Sequence, residues 1–204
     1  MNQEIQQYIR TELGTQNECK KFGFGDQSEV YIFKKDNQKY FIKIAEDLKK
    51  EHSNLLALVG VVQVPQVIGF KSFEDKDVLI TKAIEGKNLA ELSEELAPEV
   101  IVNLLVIAVK DFHNKTKSLG ETWVHGDACL PNFIFDKDFN LAGYIDLGDA
   151  RIESVEEDLS AAIWSLEKNI GKGFGELFLR EYGYSDMSEE KVYEFWKLYE
   201  GDGF

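Results

Sequence analysis

The stretch His125-Gly126-Asp127-Ala128-Cys129-Leu130-Pro131-Asn132 decides the reading of this chain, because it sets an Asp and an Asn five positions apart and is followed, fourteen residues after the Asn, by Asp146-Leu147-Gly148. Phosphoryl transfer needs one carboxylate beside an attacking hydroxyl, with an amide oxygen and a second carboxylate to hold Mg2+ against the β- and γ-phosphates. The order and the spacing of these three side chains suit that chemistry. Short apolar runs near 133–135 and 142–145 read as strands that would bring the three polar groups to the ends of one hairpin. Asp and Asn are also ordinary turn residues, and Asp-Leu-Gly alone says little, so it is the joint pattern that carries weight.

Upstream of the loop the chain alternates. Residues 20–24, 29–34 and 39–45 read as strands, with Asp36-Asn37 as a hairpin turn, and 66–71 and 78–82 as two more around the turn 74–77. Residues 2–13 and 47–58 have helical spacing, the second with Leu48, Leu55, Leu56 and Leu58 near one face. After Glu85-Gly86 the pattern turns helical: Pro98 opens a long helix to Lys117 that carries Ile101, Leu104, Leu105, Ala108 and Phe112 inward, and further helices are expected over 156–168, 174–182 and 188–199. The expected class is therefore α+β, with a small antiparallel sheet and one main helix in a lobe spanning 1–85 and a mainly helical lobe spanning 86–204.

The chain has 204 residues, 44% of them hydrophobic, and a formal net charge of −14. Nucleic acid is a poor partner for such a chain, since that binding rests on neutralising phosphates with basic side chains. A cationic small molecule fits better, although solubility alone accounts equally well for an acidic surface. Cys19 and Cys129 have no metal-like spacing, and His52, His113 and His125 are scattered, so neither a disulfide framework nor a zinc site is expected. The first residues lack an apolar signal core, and the longest apolar run, 100–109, is interrupted by Asn103 and too short to span a bilayer. A cytoplasmic location with no membrane partner is the expectation.

The loop at 125–132, together with Gly143-Tyr144-Ile145-Asp146, resembles the catalytic and metal-binding segments of the aminoglycoside 3′-phosphotransferases, whose fold is protein-kinase-like. That resemblance implies that Asp127 is the catalytic aspartate, contacting the substrate hydroxyl, and that Asn132 and Asp146 hold Mg2+. It further implies that Lys43, in Tyr40-Phe41-Ile42-Lys43-Ile44, pairs with the α- and β-phosphates of ATP, or of GTP, with Glu51 as its carboxylate partner. Gly23, Gly25 and Ser28 resemble the family's loop over the phosphates, and Thr81, Lys82 and Ile84 its edge of the adenine pocket. His125 reads as a brace for the loop.

On the acceptor side Glu153, Glu156, Glu157 and Asp158 form an acidic segment just beyond the metal loop. Glu153 and Glu157 are the candidates to hold a polyamine-like substrate by charge, while Asp158 reads as an acidic residue favourable to a helix N-terminus. The resemblance adds the terminal Phe204, whose carboxylate would face the acceptor. Two departures concern the acceptor. The connection between the long helix and His125 is short where the family carries a helical insertion, and Arg151 stands two places beyond the family's usual arginine, whose position Asp149 takes. The implied partners are a nucleoside triphosphate and a small hydroxylated acceptor, for a monomer or weak homodimer. The leading expectation is an ATP-dependent, aminoglycoside-type phosphotransferase. Its rivals are a kinase of another small metabolite, such as an amino sugar, a choline-like alcohol or a glycated amine, and a nucleotide-binding regulatory module with little turnover.

Overall fold

Ile5, Ile9 and Leu13 recur at every fourth position of Gln3–Leu13 (α1), which gives this helix one apolar stripe to bury. In the computed structural model, which describes residues 3–15, 19–25 and 28–201, the stripe packs against Phe33, Ile42, Ile44, Val78 and Ile80. These come from an antiparallel sheet of five strands, Lys20–Gly25 (β1), Ser28–Lys35 (β2), Gln38–Ala45 (β3), and, beyond the helix Lys49–Leu58 (α2), Val67–Ser72 (β4) and Asp77–Lys82 (β5), in the order β1-β2-β3-β5-β4. Lys35 pairs with Gln38 across a two-residue turn in which Asp36 and Asn37 both adopt left-handed backbone, φ 50° and 63°. Asn and Asp tolerate that conformation, and it matches the twist of the flanking strands.

Because strand side chains alternate between faces, the burial of Ile42 and Ile44 on the α1 side turns Lys43 to the opposite face. There its Nζ lies 2.8 Å from Glu51 Oε2 of α2.

The chain divides into two compact units, Met1–Val59 with Pro65–Ala83, and Gly60–Val64 with Ile84–Phe204. In the second unit the short strand Lys87–Asn88 (β6) runs into Leu89–Leu92 (α3), whose start is fixed by a reciprocal cap between Asn88 and Glu91. Pro98–Thr116 (α4) is the central helix, with Ile101, Val102, Leu105, Ala108, Val109 and Phe112 all essentially buried. It is followed by Trp123–Val124 (β7), Phe133–Phe135 (β8), Leu141–Tyr144 (β9) and Arg151–Ile152 (β10), then by Glu156–Ile170 (α5), Gly175–Tyr182 (α6) and Glu189–Gly201 (α7). Sheet β6-β8-β9 and the pair β7–β10 are separate and antiparallel. The strand expected at 142–145 lies one residue earlier, because Ile145 leaves the ladder and donates its N–H to Asn132 O at 3.0 Å. Among the described residues no helix is long and apolar enough to cross a membrane.

Candidate active site

The two polar loops of the second unit, 125–132 and 145–150, are fastened to each other at both ends. The strand leading into the first loop, β7, pairs with β10, which leaves the second; the strand leaving the first, β8, pairs with β9, which leads into the second. Asn132 directly precedes β8 and Ile145 directly follows β9, so their hydrogen bond closes the hairpin at the end where Asp146 begins the second loop. Asp146 itself has left-handed backbone, φ 58° and ψ 56°, and precedes a single 3-10 turn at Leu147–Asp149. Tyr144 anchors the hairpin beneath α4, its hydroxyl 2.7 Å from Asp111 Oδ2.

Within the first loop Asn132 folds back on Asp127: its Nδ2 donates to Asp127 Oδ2 at 2.8 Å and to Asp127 O at 2.9 Å. Tyr199 of α7 donates to the other carboxylate oxygen, Asp127 Oδ1, at 3.0 Å. Cys129 is buried, and that burial, followed by the charge of Asp127, pushes its thiol well above the ordinary range and keeps it protonated.

His125 acts as a bolt. A carbonyl oxygen can only accept, so the contact of His125 Nε2 with Ile145 O at 3.1 Å puts the proton on Nε2 and ties the first loop to the second. The other nitrogen, Nδ1, is buried with no partner among the described residues, and the ring sits against Phe112 and Phe133. An imidazole held this way cannot reach a hydroxyl as a base.

Asp158, expected merely to favour a helix N-terminus, has a larger part. Only 1% exposed, it accepts the backbone N–H of His125 at 2.8 Å and of Gly126 at 2.9 Å, and its Oδ2 lies 2.7 Å from His113 Nε2. Ser165, two turns further along α5, accepts the N–H of Leu130 at 2.9 Å. Asp158, Ala161, Ala162 and Ser165 stand at i, i+3, i+4 and i+7 on the buried side of the helix, so one stripe of α5 supplies acceptors to three amides of the loop. Tyr182 of α6 closes the far side, 2.9 Å from His113 Nδ1; burial, then the charge of Asp158, pushes its phenol up to about 12, so it keeps its proton.

Gly126 is where the two loops touch. Its φ is +83°, and a Cβ there would stand 2.3 Å from Asp149 O. Backbone cannot swing aside as a long side chain can, so Gly126→Ala is expected to cost about 2–3 kcal/mol and to push the loops apart. A urea denaturation curve checks this, with a lowered midpoint and an unchanged slope as the expected result.

Residues 105–196 match the model of the phosphotransferase enzyme family. An aminoglycoside 3′-phosphotransferase of Niallia circulans is 31% identical over 160 residues, 76% of this chain and 56% of that enzyme. The similarity of this chain is to the phosphotransferase enzyme family. The match thus spans little more than half the length of this curated relative. Among solved structures, an aminoglycoside 3′-phosphotransferase of type VIII superposes with a TM-score of 0.72 at 19% identity, covering 95% of this chain and 97% of that one. A thermostable aminoglycoside phosphotransferase in ternary complex with ADP and hygromycin B superposes at 0.67 and 10% identity, covering 98% and 92%. The α+β fold is therefore that of the protein-kinase-like phosphotransferases.

The residues that the family resemblance singled out divide between the units. Lys43, Glu51, Thr81 and Lys82 are in the first, where Thr81 and Lys82 end β5. Gly23 and Gly25 are in β1, opposite Val30 and Ser28, and Ser28 opens β2. Asp26 and Gln27, within the expected phosphate loop, lie outside the described residues, as does Phe204. The second unit holds Ile84, Asp127, Asn132, Asp146, Glu153 and Glu157. Glu157 Oε2 pairs with Arg151 Nη2 at 2.8 Å, so each occupies the other's charge, and Arg151 Nη1 donates to Asp149 O at 3.1 Å. Glu153 is exposed and its Oε1 accepts from Ser154 N at 3.0 Å.

Sequence reasoning missed the contact of Tyr199 with Asp127 and the role of Asp158. A signal for Asp158 was present: it is the one acidic residue of the α5 N-terminus that falls on the stripe continued by Ala161, Ala162 and Ser165.

Proposed function

We propose that this chain transfers the γ-phosphate of a nucleoside triphosphate, ATP or GTP, to a hydroxyl of a small cationic acceptor of the aminoglycoside kind. The observation that carries the reading is the Asp127–Asn132 pair at the same end of the β8–β9 hairpin as Asp146. The Lys43–Glu51 ion pair of the first unit adds to it, since a lysine paired with a helix carboxylate is the arrangement by which kinases of this fold grip the α- and β-phosphates.

Asp127 would receive the acceptor hydroxyl, orient it and take its proton as transfer proceeds; a loose transition state asks for alignment more than for a strong base. Asn132 and Asp146 are the residues that would hold Mg2+. Both offer hard oxygen donors, and the two hydrogen bonds from Asn132 Nδ2 to Asp127 leave the amide oxygen as the atom for a cation. Among the described residues no three His, Cys, Asp or Glu side chains form a metal cage. A Mg2+ ion shared with a triphosphate needs none, because phosphate oxygens and water complete its shell. When bound, the ion neutralises charge building on the phosphates.

The acidic composition, net −14, supports a polyamine-like acceptor. The test is a coupled assay of the purified chain with ATP and Mg2+ against a panel of aminoglycosides, amino sugars, choline-like alcohols and glycated amines. Turnover confined to aminoglycosides fits the reading; turnover on another class alone refutes the acceptor assignment. Asp146→Ala is expected to weaken Mg2+-dependent nucleotide affinity by about tenfold or more, at least what losing an outer-shell partner costs. Equal ATP binding with and without Mg2+ in the unaltered chain would remove Asp146 and Asn132 from the metal.

A further inference from the structure

Tyr199 is 72 residues from Asp127 along the chain, yet its hydroxyl donates to Asp127 Oδ1 at 3.0 Å. Asn132 donates to Oδ2 at 2.8 Å, so each carboxylate oxygen is held by a different element. The terminal torsion of an Asp side chain is soft and roughly two-fold. One donor leaves the carboxylate free to swivel about a single bond; two donors fix its plane.

The phenol is itself held. Its ring lies 5.0 Å from that of Trp164 on α5, Cys129 Sγ is 3.5 Å from its oxygen, and Phe195, one turn earlier and 2% exposed, roots α7 in the core. Burial, and then the contact with Cys129, pushes the phenol well above its ordinary range. It stays protonated and therefore stays a donor.

We propose that Tyr199 is a positioning residue: its phenol, together with Asn132, sets the plane of the Asp127 carboxylate and so the direction from which an acceptor hydroxyl is received. This rests on the phosphotransferase reading. It differs from a packing role in its consequence, because a misaligned carboxylate slows transfer without weakening nucleotide binding.

The test is a cycle of Tyr199→Phe, Asp127→Ala and the double variant in the full chain, read in two ways. Tyr199→Phe keeps the ring against Trp164 and removes only the hydroxyl. With ATP, Mg2+ and the best aminoglycoside of the panel, its kcat is expected to fall about tenfold with KM for ATP unchanged. In urea, the midpoint lost by the double variant is expected to be smaller than the two single losses combined, as for groups in contact. Additive midpoints, an undiminished kcat, or a KM for ATP that rises as kcat falls would each overturn the proposal. An unaltered chain that turns over no acceptor refutes the phosphotransferase reading, and the positioning role with it; non-additive midpoints in that case would show the contact to be structural.

Discussion

Asp127→Ala is expected to lower kcat by about a thousandfold, within the range that positioned acid–base groups contribute, while leaving nucleotide affinity nearly intact. The side chain proposed to receive the acceptor hydroxyl goes, and the groups assigned to the nucleotide remain. Asn132 loses its 2.8 Å bond to the carboxylate but keeps its 2.9 Å bond to the backbone carbonyl of the same residue, so the loop retains one of its two ties. Steady-state kinetics and calorimetric titration with nucleotide separate the effects. Asp127→Asn, nearly isosteric, controls for loop collapse and should be almost as slow. Full turnover in either variant would remove Asp127 from its assigned part.

Asp158→Ala is expected to destabilise the second unit by about 3–5 kcal/mol, the range for removing one partner from a buried charged group. Three donors converge on this carboxylate, the amides of His125 and Gly126 and the imidazole of His113, and none can reach water from where it lies. Alanine would leave all three unsatisfied. The expected readout is a large drop in urea midpoint, with turnover falling too, since the released amides belong to the loop that carries Asp127. Asp158→Asn, which keeps an acceptor oxygen, should be milder. A loss under about 1 kcal/mol would mean that the amides find other acceptors.

Much of the fold was legible because periodicity survives in sequence. The Asp36-Asn37 hairpin and the apolar face of α4 announce themselves locally. So do the apolar runs around Asn132 and Asp146, offset by one residue at β9 because Ile145 bonds to Asn132 instead of continuing the ladder. What stayed hidden depends on distant partners or on elements too short to have a period. The pairing of β7 with β10 involves two residues on each side, and no alternation can be read from two residues. The capping box at Asn88 and Glu91 was readable in principle, but it opens a helix of only four residues. Asp158 looks like any acidic residue of a first helical turn until the fold turns it inward. Tyr199 carries no local mark of its contact with a loop 72 residues earlier. The short connection before His125 holds one 3-10 turn, Lys117–Leu119, and β7.

The acceptors that α5 supplies have a consequence for vectorial synthesis. His125 and Leu130 emerge from the ribosome 33 and 35 residues ahead of the side chains that satisfy their amides. Until the later helix follows them out, those amides stay hydrated and the loop has no fixed geometry. A nascent chain halted between the two segments would carry Asp127, Asn132 and Asp146 in order and still be inert.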